Sequence, residues 1–366
     1  MRWAWVLVLM GCAERPYEWR LPEGFPTPSL PEGARMSDEL VELGRHLFFD
    51  ERLSLNETQS CGSCHLQELA FTDGEAHAVG STGDVHRRSS MGLSNIAYAS
   101  ALTWASDAVR TLEDQALLPI FSEVPIELGM AGEEELLISR FTDDAVALER
   151  FELAFRGEKE PVTLGNLVAA IAAYERTLIS GNAPYDRYVA GDSDAISEEA
   201  KRGLSLFLDE THECFHCHGG FAFTDAVRSE STVFAELLFH NTGLYNVDGQ
   251  GGYPALDRGL IELTGVPSDM GRFRAPTLRN IAVTAPYMHD GSVATLDEVL
   301  DHYAAGGRTI AEGEDAGVGF TNPYKSQFVR GFPLPDEDRR ALIAFLESLT
   351  DEEFLTDPAI GDPGED

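Results

Sequence analysis

Cys61-Gly62-Ser63-Cys64-His65 decides how the rest of the chain is read. Two thiols at this spacing, followed directly by a histidine, form the attachment site of a c-type haem. The cysteines bond to the porphyrin vinyl groups and the histidine becomes the proximal iron ligand. The pattern returns as Cys214-Phe215-His216-Cys217-His218. Together the copies use four of the chain's 5 cysteines. A zinc site or a dithiol would use the same residue types, but the export signal described next counts against both. Two covalent haems in 366 residues imply two domains, each long enough for its own core.

The fifth cysteine belongs to the N-terminus. Arg2 gives a positive start, and Trp3 to Met10 is an apolar run far too short to span a bilayer. It reads as the apolar part of an export signal. Leu9-Met10-Gly11-Cys12 resembles a bacterial lipoprotein cleavage box, which makes residues 1–12 a lipoprotein-type signal with Cys12 as the lipidated residue. The alternative is an ordinary secretory signal with a free Cys12. Both put the protein in the periplasm, and the first anchors it by lipid to the outer membrane. The net charge of −35 disfavours nucleic acid and anionic lipid. It suits a basic partner face, although an acidic proteome explains it equally well.

Residues 13–36 carry five prolines among polar residues and read as an extended tether. Ser37 and Asp38 open a helix whose apolar positions are Leu40, Val41, Leu43, Leu47 and Phe48. It leads into the first haem motif. Beyond a Gly-rich loop, 71–88, apolar residues at three-and-four spacing predict helices over 111–118, 133–140, 143–155 and 163–180. After a linker at 191–194, Ser197 caps a helix over 198–208 that runs into the second motif. An irregular loop over 241–271 follows, then helices over 296–303 and 336–349, the last with Asp336 at its cap. Strand signals are few. The expected class is mainly α, with an N-terminal haem domain at 37–190, a C-terminal one at 191–350 and a frayed acidic tail at 351–366.

Several stretches resemble the bacterial di-haem cytochrome c peroxidase and MauG superfamily. They are Leu43-Gly44-Arg45-His46-Leu47-Phe48-Phe49-Asp50, the two haem motifs, Gly271-Arg272-Phe273-Arg274-Ala275-Pro276-Thr277-Leu278-Arg279-Asn280, and Ala285-Pro286-Tyr287-Met288-His289-Asp290-Gly291-Ser292. Phe71-Thr72-Asp73-Gly74, Leu102-Thr103-Trp104-Ala105 and Pro125-Ile126-Glu127-Leu128-Gly129 look most like the MbnH branch.

The resemblance implies roles for particular residues. Cys61, Cys64 and His65 hold the peroxide-reactive haem, and Cys214, Cys217 and His218 hold a second haem for electron transfer and high-valent storage. Glu127 matches the distal acid–base glutamate, with Glu123 as the alternative, and Gln115 matches the distal glutamine. Trp104 matches the tryptophan between the haems. Fourteen residues after His289, where peroxidases have methionine, stands Tyr303, as in MauG-type enzymes. A phenolate donor stabilises high-valent iron. His302, Met270 and Met288 are rival ligands. Sixteen residues after His65, where resting peroxidases carry a removable histidine, stands Ser81. The first iron is therefore expected to be five-coordinate, with His77 a likelier challenger than His86. A calcium ion between the haems is implied through the carbonyls of Thr284 and Pro286. Ser89 replaces the asparagine expected after Arg88, leaving Asn95 or water to fill its place. His46, His212, His216 and His240 read as non-ligands, and Asp248 and Asp257 as solvated loop carboxylates.

The function implied is a haem-dependent oxidoreductase. It would use hydrogen peroxide to reach a bis-Fe(IV)-like state that oxidises a tryptophan of a secreted, copper-binding partner to kynurenine. The alternatives are a di-haem cytochrome c peroxidase fed by a small cytochrome or cupredoxin, and a non-catalytic di-haem electron carrier.

Overall fold

The structure, a computed structural model, describes residues 17–233 and 238–364. The export segment and Cys12 lie outside the described residues. Eleven helices are described: α1 (Asp38–Phe48), α2 (Leu112–Phe121), α3 (Glu134–Thr142), α4 (Ala145–Ala154), α5 (Leu164–Glu175), α6 (Pro184–Val189), α7 (Glu198–Phe207), α8 (Ile261–Thr264), α9 (Leu296–Ala304), α10 (Asp336–Glu347) and α11 (Glu352–Thr356). The described strands are β1 (Thr309–Ile310) and β2 (Gly317–Val318), paired antiparallel with Thr309 opposite Val318. The fold is mainly α, with two cytochrome c-like units in one chain. No helix among the described residues is long and apolar enough to cross a membrane.

Each haem motif is delivered by a helix crossing. Ser37 accepts a hydrogen bond from Leu40 N and starts α1; its Leu40, Leu43, Leu47 and Phe48 are buried. Gly44 sits where a β-carbon would overlap the Ala170 carbonyl and Tyr174 of α5. Ser197 caps α7, and there Gly203 meets the Ala341 carbonyl and Phe345 of α10 in the same way. Absence of a side chain lets these helix pairs approach closely, which holds the turn that follows each one at a fixed height. The apolar residues of α1, α2, α4 and α5 form one core. Those of α7, α9 and α10 form another.

The chain ends differ from expectation. The prolines of 17–36 do not make a free tether. Tyr98 donates to the Pro26 carbonyl at 2.7 Å, Pro28 bridges Ser229, and Phe25 packs edge-on to Phe221 at 4.8 Å. Nor is the tail frayed up to 364. Asp351 caps α11 and accepts from the backbone of Gly181 and Asn182, both at 2.9 Å. Phe354 and Leu355 are buried in the first core. Burial of two large apolar side chains outweighs the acidic composition that suggested fraying. Smaller corrections concern boundaries. The helix expected over 163–180 stops at Glu175, α6 follows where no helix was expected, α8 lies in the stretch read as irregular, and Pro335 rather than Asp336 precedes α10.

Candidate active site at the two haem motifs

Both motifs are built alike. Cys61–Ser63 and Cys214–His216 are single 3₁₀ turns, closed by Cys64 N to Cys61 O at 3.2 Å and Cys217 N to Cys214 O at 3.4 Å. None of the four motif cysteines is tied up in a disulfide. His65 Nδ1 lies 2.7 Å from the Phe71 carbonyl, and His218 Nδ1 lies 3.2 Å from that of Phe223. Each Nδ1–H donates to its carbonyl, leaving Nε2 free to ligate. Burial lowers the pKa of both imidazoles and so favours the neutral, ligating form. Both acceptors have left-handed backbones, with φ of 62° at Phe71 and 49° at Phe223. The sequence carries a signal for this. Ala70-Phe71-Thr72-Asp73 recurs as Ala222-Phe223-Thr224-Asp225 behind the second motif, so the repeated tetrapeptide marks both histidine acceptors.

A cavity of about 230 Å³ opens beside Cys214, Cys217 and His218. It reaches Trp104 and, at its far end, Ala70, Thr72 and Met91 behind the first motif. Tyr303 lines it; His302 and Met270 do not, and Met288 does. Burial pushes the Tyr303 hydroxyl above its ordinary pKa. His302 is buried on α9 with both ring nitrogens unpartnered. Trp104 Nε1 donates to the Ser89 carbonyl at 3.0 Å, and its own carbonyl accepts from Arg274 N at 2.8 Å. The Trp104 ring and backbone are thereby both held at the cavity wall.

Glu127 lies close enough to Cys61 and Cys64 to act on both electrostatically. Main-chain bonds from Leu128 N to Pro119 O and from Met130 N to Ile120 O stitch its loop to α2, which carries Gln115. Ser81 donates to the Glu127 carbonyl from its amide at 2.8 Å and its hydroxyl at 2.7 Å. The residue standing where a removable histidine was sought therefore fixes the glutamate loop. Burial pushes the Glu127 carboxyl up to about 7. Glu123, the alternative acid, is exposed on a turn closed by its bridge to Ile126. The order of the two histidines is reversed. His77 is exposed, whereas His86 Nε2 is buried and 3.4 Å from Glu127 Oε1. Glu175 on α5 was not anticipated. It is fully buried near Cys61, with one unpartnered oxygen and its pKa pushed up to about 8, mainly by burial. A lone charged pair, Glu175-Arg176, ending an apolar helix was the available signal.

The calcium donor set is thin. Thr284 and Pro286 line the cavity. Asn95, however, is engaged with Ser180 through both ends of its amide, so it is not a substitute ligand. The Ser89 hydroxyl donates to the Met288 carbonyl at 3.3 Å. Asp257 is not solvated: it is buried and binds Arg88 at 2.7 Å through both oxygens.

Paired cysteines, a neutral histidine with free Nε2 behind each pair, and a largely apolar cavity fit a covalently bound porphyrin. Fold and site define a di-haem c-type protein. Residues 38–194 match the family model for di-haem cytochrome c peroxidase, and 272–305 match that of RoxA-like, cytochrome c-like proteins. The chain is 34% identical to the methylamine utilization protein MauG of Methylorubrum extorquens over 331 residues, covering 90% of this chain and 83% of that one. It is 34% identical to cytochrome-c peroxidase IdrP1 of Denitromonas iodatirespirans over 363 residues, covering 94% and 89%. A solved structure of a MauG-like protein associated with microbial copper homeostasis superposes with a TM-score of 0.93 at 45% identity, covering 95% and 99%. The chain belongs to the di-haem cytochrome c peroxidase/MauG family. It is a haem-dependent oxidoreductase with two c-type haems.

Proposed function

We propose that this chain is a periplasmic enzyme that uses hydrogen peroxide to oxidise a tryptophan of a secreted partner protein, yielding kynurenine. The observation that carries the proposal is Tyr303, an oxygen donor lining the cavity of Cys214, Cys217 and His218. Peroxidases with methionine there favour the reduced metal, whereas a phenolate favours the oxidised one. The likeness to a protein associated with copper homeostasis supports a copper-handling partner.

When bound, the haems supply the reaction with peroxide and the storage of oxidising equivalents. Glu127 is assigned the proton. Its carboxylate would accept a proton from peroxide held in the pocket and would return that proton to the departing oxygen. A carboxyl raised to about 7 suits both directions of that transfer. Gln115 is assigned to orient peroxide or water by its amide, and Ser81 keeps the glutamate loop in register. Trp104 offers an indole in the same cavity for electron or hole transfer, and Tyr303 would hold the iron of the C-terminal haem together with His218. A calcium ion at Thr284 and Pro286, completed by water, and a lipid anchor at Cys12 belong to the same reading.

The test combines holoprotein, hydrogen peroxide and the secreted copper-binding protein encoded nearest its gene. Peptide mass spectrometry is expected to find one tryptophan in which a carbon has been replaced by oxygen. Peroxide turnover with a reduced cytochrome, and no change in the partner, would assign an ordinary cytochrome c peroxidase instead.

A further inference from the structure

Arg274 is a buried cation without an anion. Only 7% of the residue is exposed, and it lines the cavity of the second motif. Its Nη1 donates to the Ala101 carbonyl and its Nη2 lies 3.9 Å from Met91 Sδ, while Nε is buried and unpartnered. None of these partners carries charge. The other cationic or protonatable side chains around the cavity are accounted for. Arg279 binds Asp186 at 2.8 and 2.9 Å, His240 lies 2.5 Å from Asp225 and His212 2.7 Å from Asp209. His289 is near Asp257, and His218 is the proximal histidine. Among the described residues Arg274 is the cavity-lining guanidinium with no carboxylate partner. Burial lowers its pKa to about 10, which still leaves it charged at neutral pH. An unpaired buried charge costs several kcal/mol, so folded proteins neutralise it with whatever anion shares the site.

The missing anion belongs to the cofactor. A c-type haem brings two propionates, and the cavity that Arg274 lines is the one beside Cys214, Cys217 and His218. The main chain ties Arg274 to that motif. Ala275 O accepts from Thr224 Oγ1 at 2.7 Å, and Asp225 N donates to Cys217 O at 2.9 Å. On the other side Arg274 N holds Trp104 O at 2.8 Å. We propose that Arg274 is a positioning residue whose guanidinium is the counter-ion of a propionate of the C-terminal haem, holding that carboxylate ionised at the Trp104 end of the cavity. The inference rests on haem occupancy and is independent of which substrate the enzyme oxidises.

A nearby cation stabilises the reduced haem, which carries one positive charge fewer than the oxidised form. Potentiometric titration of the holoprotein, with the two haems resolved spectroscopically, tests the assignment. Arg274→Gln is expected to lower the reduced-to-oxidised ratio of the C-terminal haem at fixed potential at least tenfold (~59 mV for a one-electron couple). Arg274→Lys keeps the charge and is expected to restore most of that shift. If the glutamine variant does not retain its haems, resonance Raman spectra of the lysine variant decide, because a point charge replacing a planar fork shifts the propionate bending modes of the C-terminal haem. An unchanged C-terminal potential with both haems present overturns the proposal. So does a shift confined to the N-terminal haem, or unmoved propionate modes in Arg274→Lys.

Discussion

At the scale of single residues, Glu127 and Tyr303 carry the sharpest expectations. The Glu127 carboxyl is raised to about 7 by burial, so its proton-accepting form accumulates as pH rises through that value. Peroxide consumption is expected to rise across the same interval, and Glu127→Gln to remove the inflection and slow consumption by ~100-fold or more. Stopped-flow rates from pH 5.5 to 8.5 (about 1.5 units either side of that value) check both. The effect on stability has the opposite sign. Between the unfolded value near 4.5 and the folded value near 7, the native state keeps a proton that the unfolded chain releases. The Glu127 contribution to stability is therefore full at low pH and declines as pH rises through that window. Tyr303→Phe is expected to alter the low-spin ferric signal of the C-terminal haem and leave the N-terminal one unchanged, read by electron paramagnetic resonance. An unaltered C-terminal signal would remove tyrosine as the ligand. That Tyr303 lines the cavity of the second motif was legible through the family resemblance, which points to it at a fixed offset from His289. The proximity of His86 to Glu127 and the isolation of Arg274 were not, because each is set by residues brought in from elsewhere: Glu127 for the one, Met91 and Ala101 for the other.

At the scale of elements, the two glycine crossings explain why the motifs sit where they do. Helix periodicity gave α1, α5, α7 and α10 within a few residues, because amphipathic spacing is a local property. That α1 pairs with α5, and α7 with α10, is not local. Gly44 and Gly203 were the only hints, and glycine in a helix has many explanations. Gly44→Ala would force a methyl against the Ala170 carbonyl, and Gly203→Ala one against that of Ala341. Each is expected to lower stability by about 1–3 kcal/mol, measured by denaturant unfolding of the holoprotein. The damage is expected to be local in spectroscopy. Gly44→Ala should perturb the haem at Cys61 and Cys64, and Gly203→Ala the one at Cys214 and Cys217. Equal disturbance of both haems by either change would mean that the crossings do not position the motifs separately.

At the scale of the whole molecule, each terminal segment of the described chain reaches across to the half that lies farther from it in sequence. The N-terminal strap bridges Ser229 and sets Phe25 against Phe221, and the Arg279 guanidinium lies 4.8 Å from the Phe25 ring. The C-terminal helix returns to the first core. Phe354 meets Phe71 at 5.6 Å, Tyr174 donates to the Ile360 carbonyl at 2.6 Å, and Gln67 binds the carbonyls of Phe354 and Asp357. Composition pointed the other way at both ends, since proline-rich and acidic stretches read as solvated, and only the few aromatic residues among them mark the docking. Phe71 is also the residue whose carbonyl accepts from His65. The C-terminal helix therefore buttresses the proximal side of the first haem, although it follows the second unit in sequence. Two haem units interlocked in this way are expected to unfold together, in one calorimetric transition whose van't Hoff and calorimetric enthalpies agree. Phe354→Ala should cost about 3 kcal/mol and soften the environment of His65 before that of His218. Removal of residues 351–366 should go further and split the transition in two, the haem at Cys61 and Cys64 losing its native spectrum first. A shortened chain that still melts once, with both haems changing together, would show that contacts around Trp104 and Arg274 couple the halves without the terminal helix.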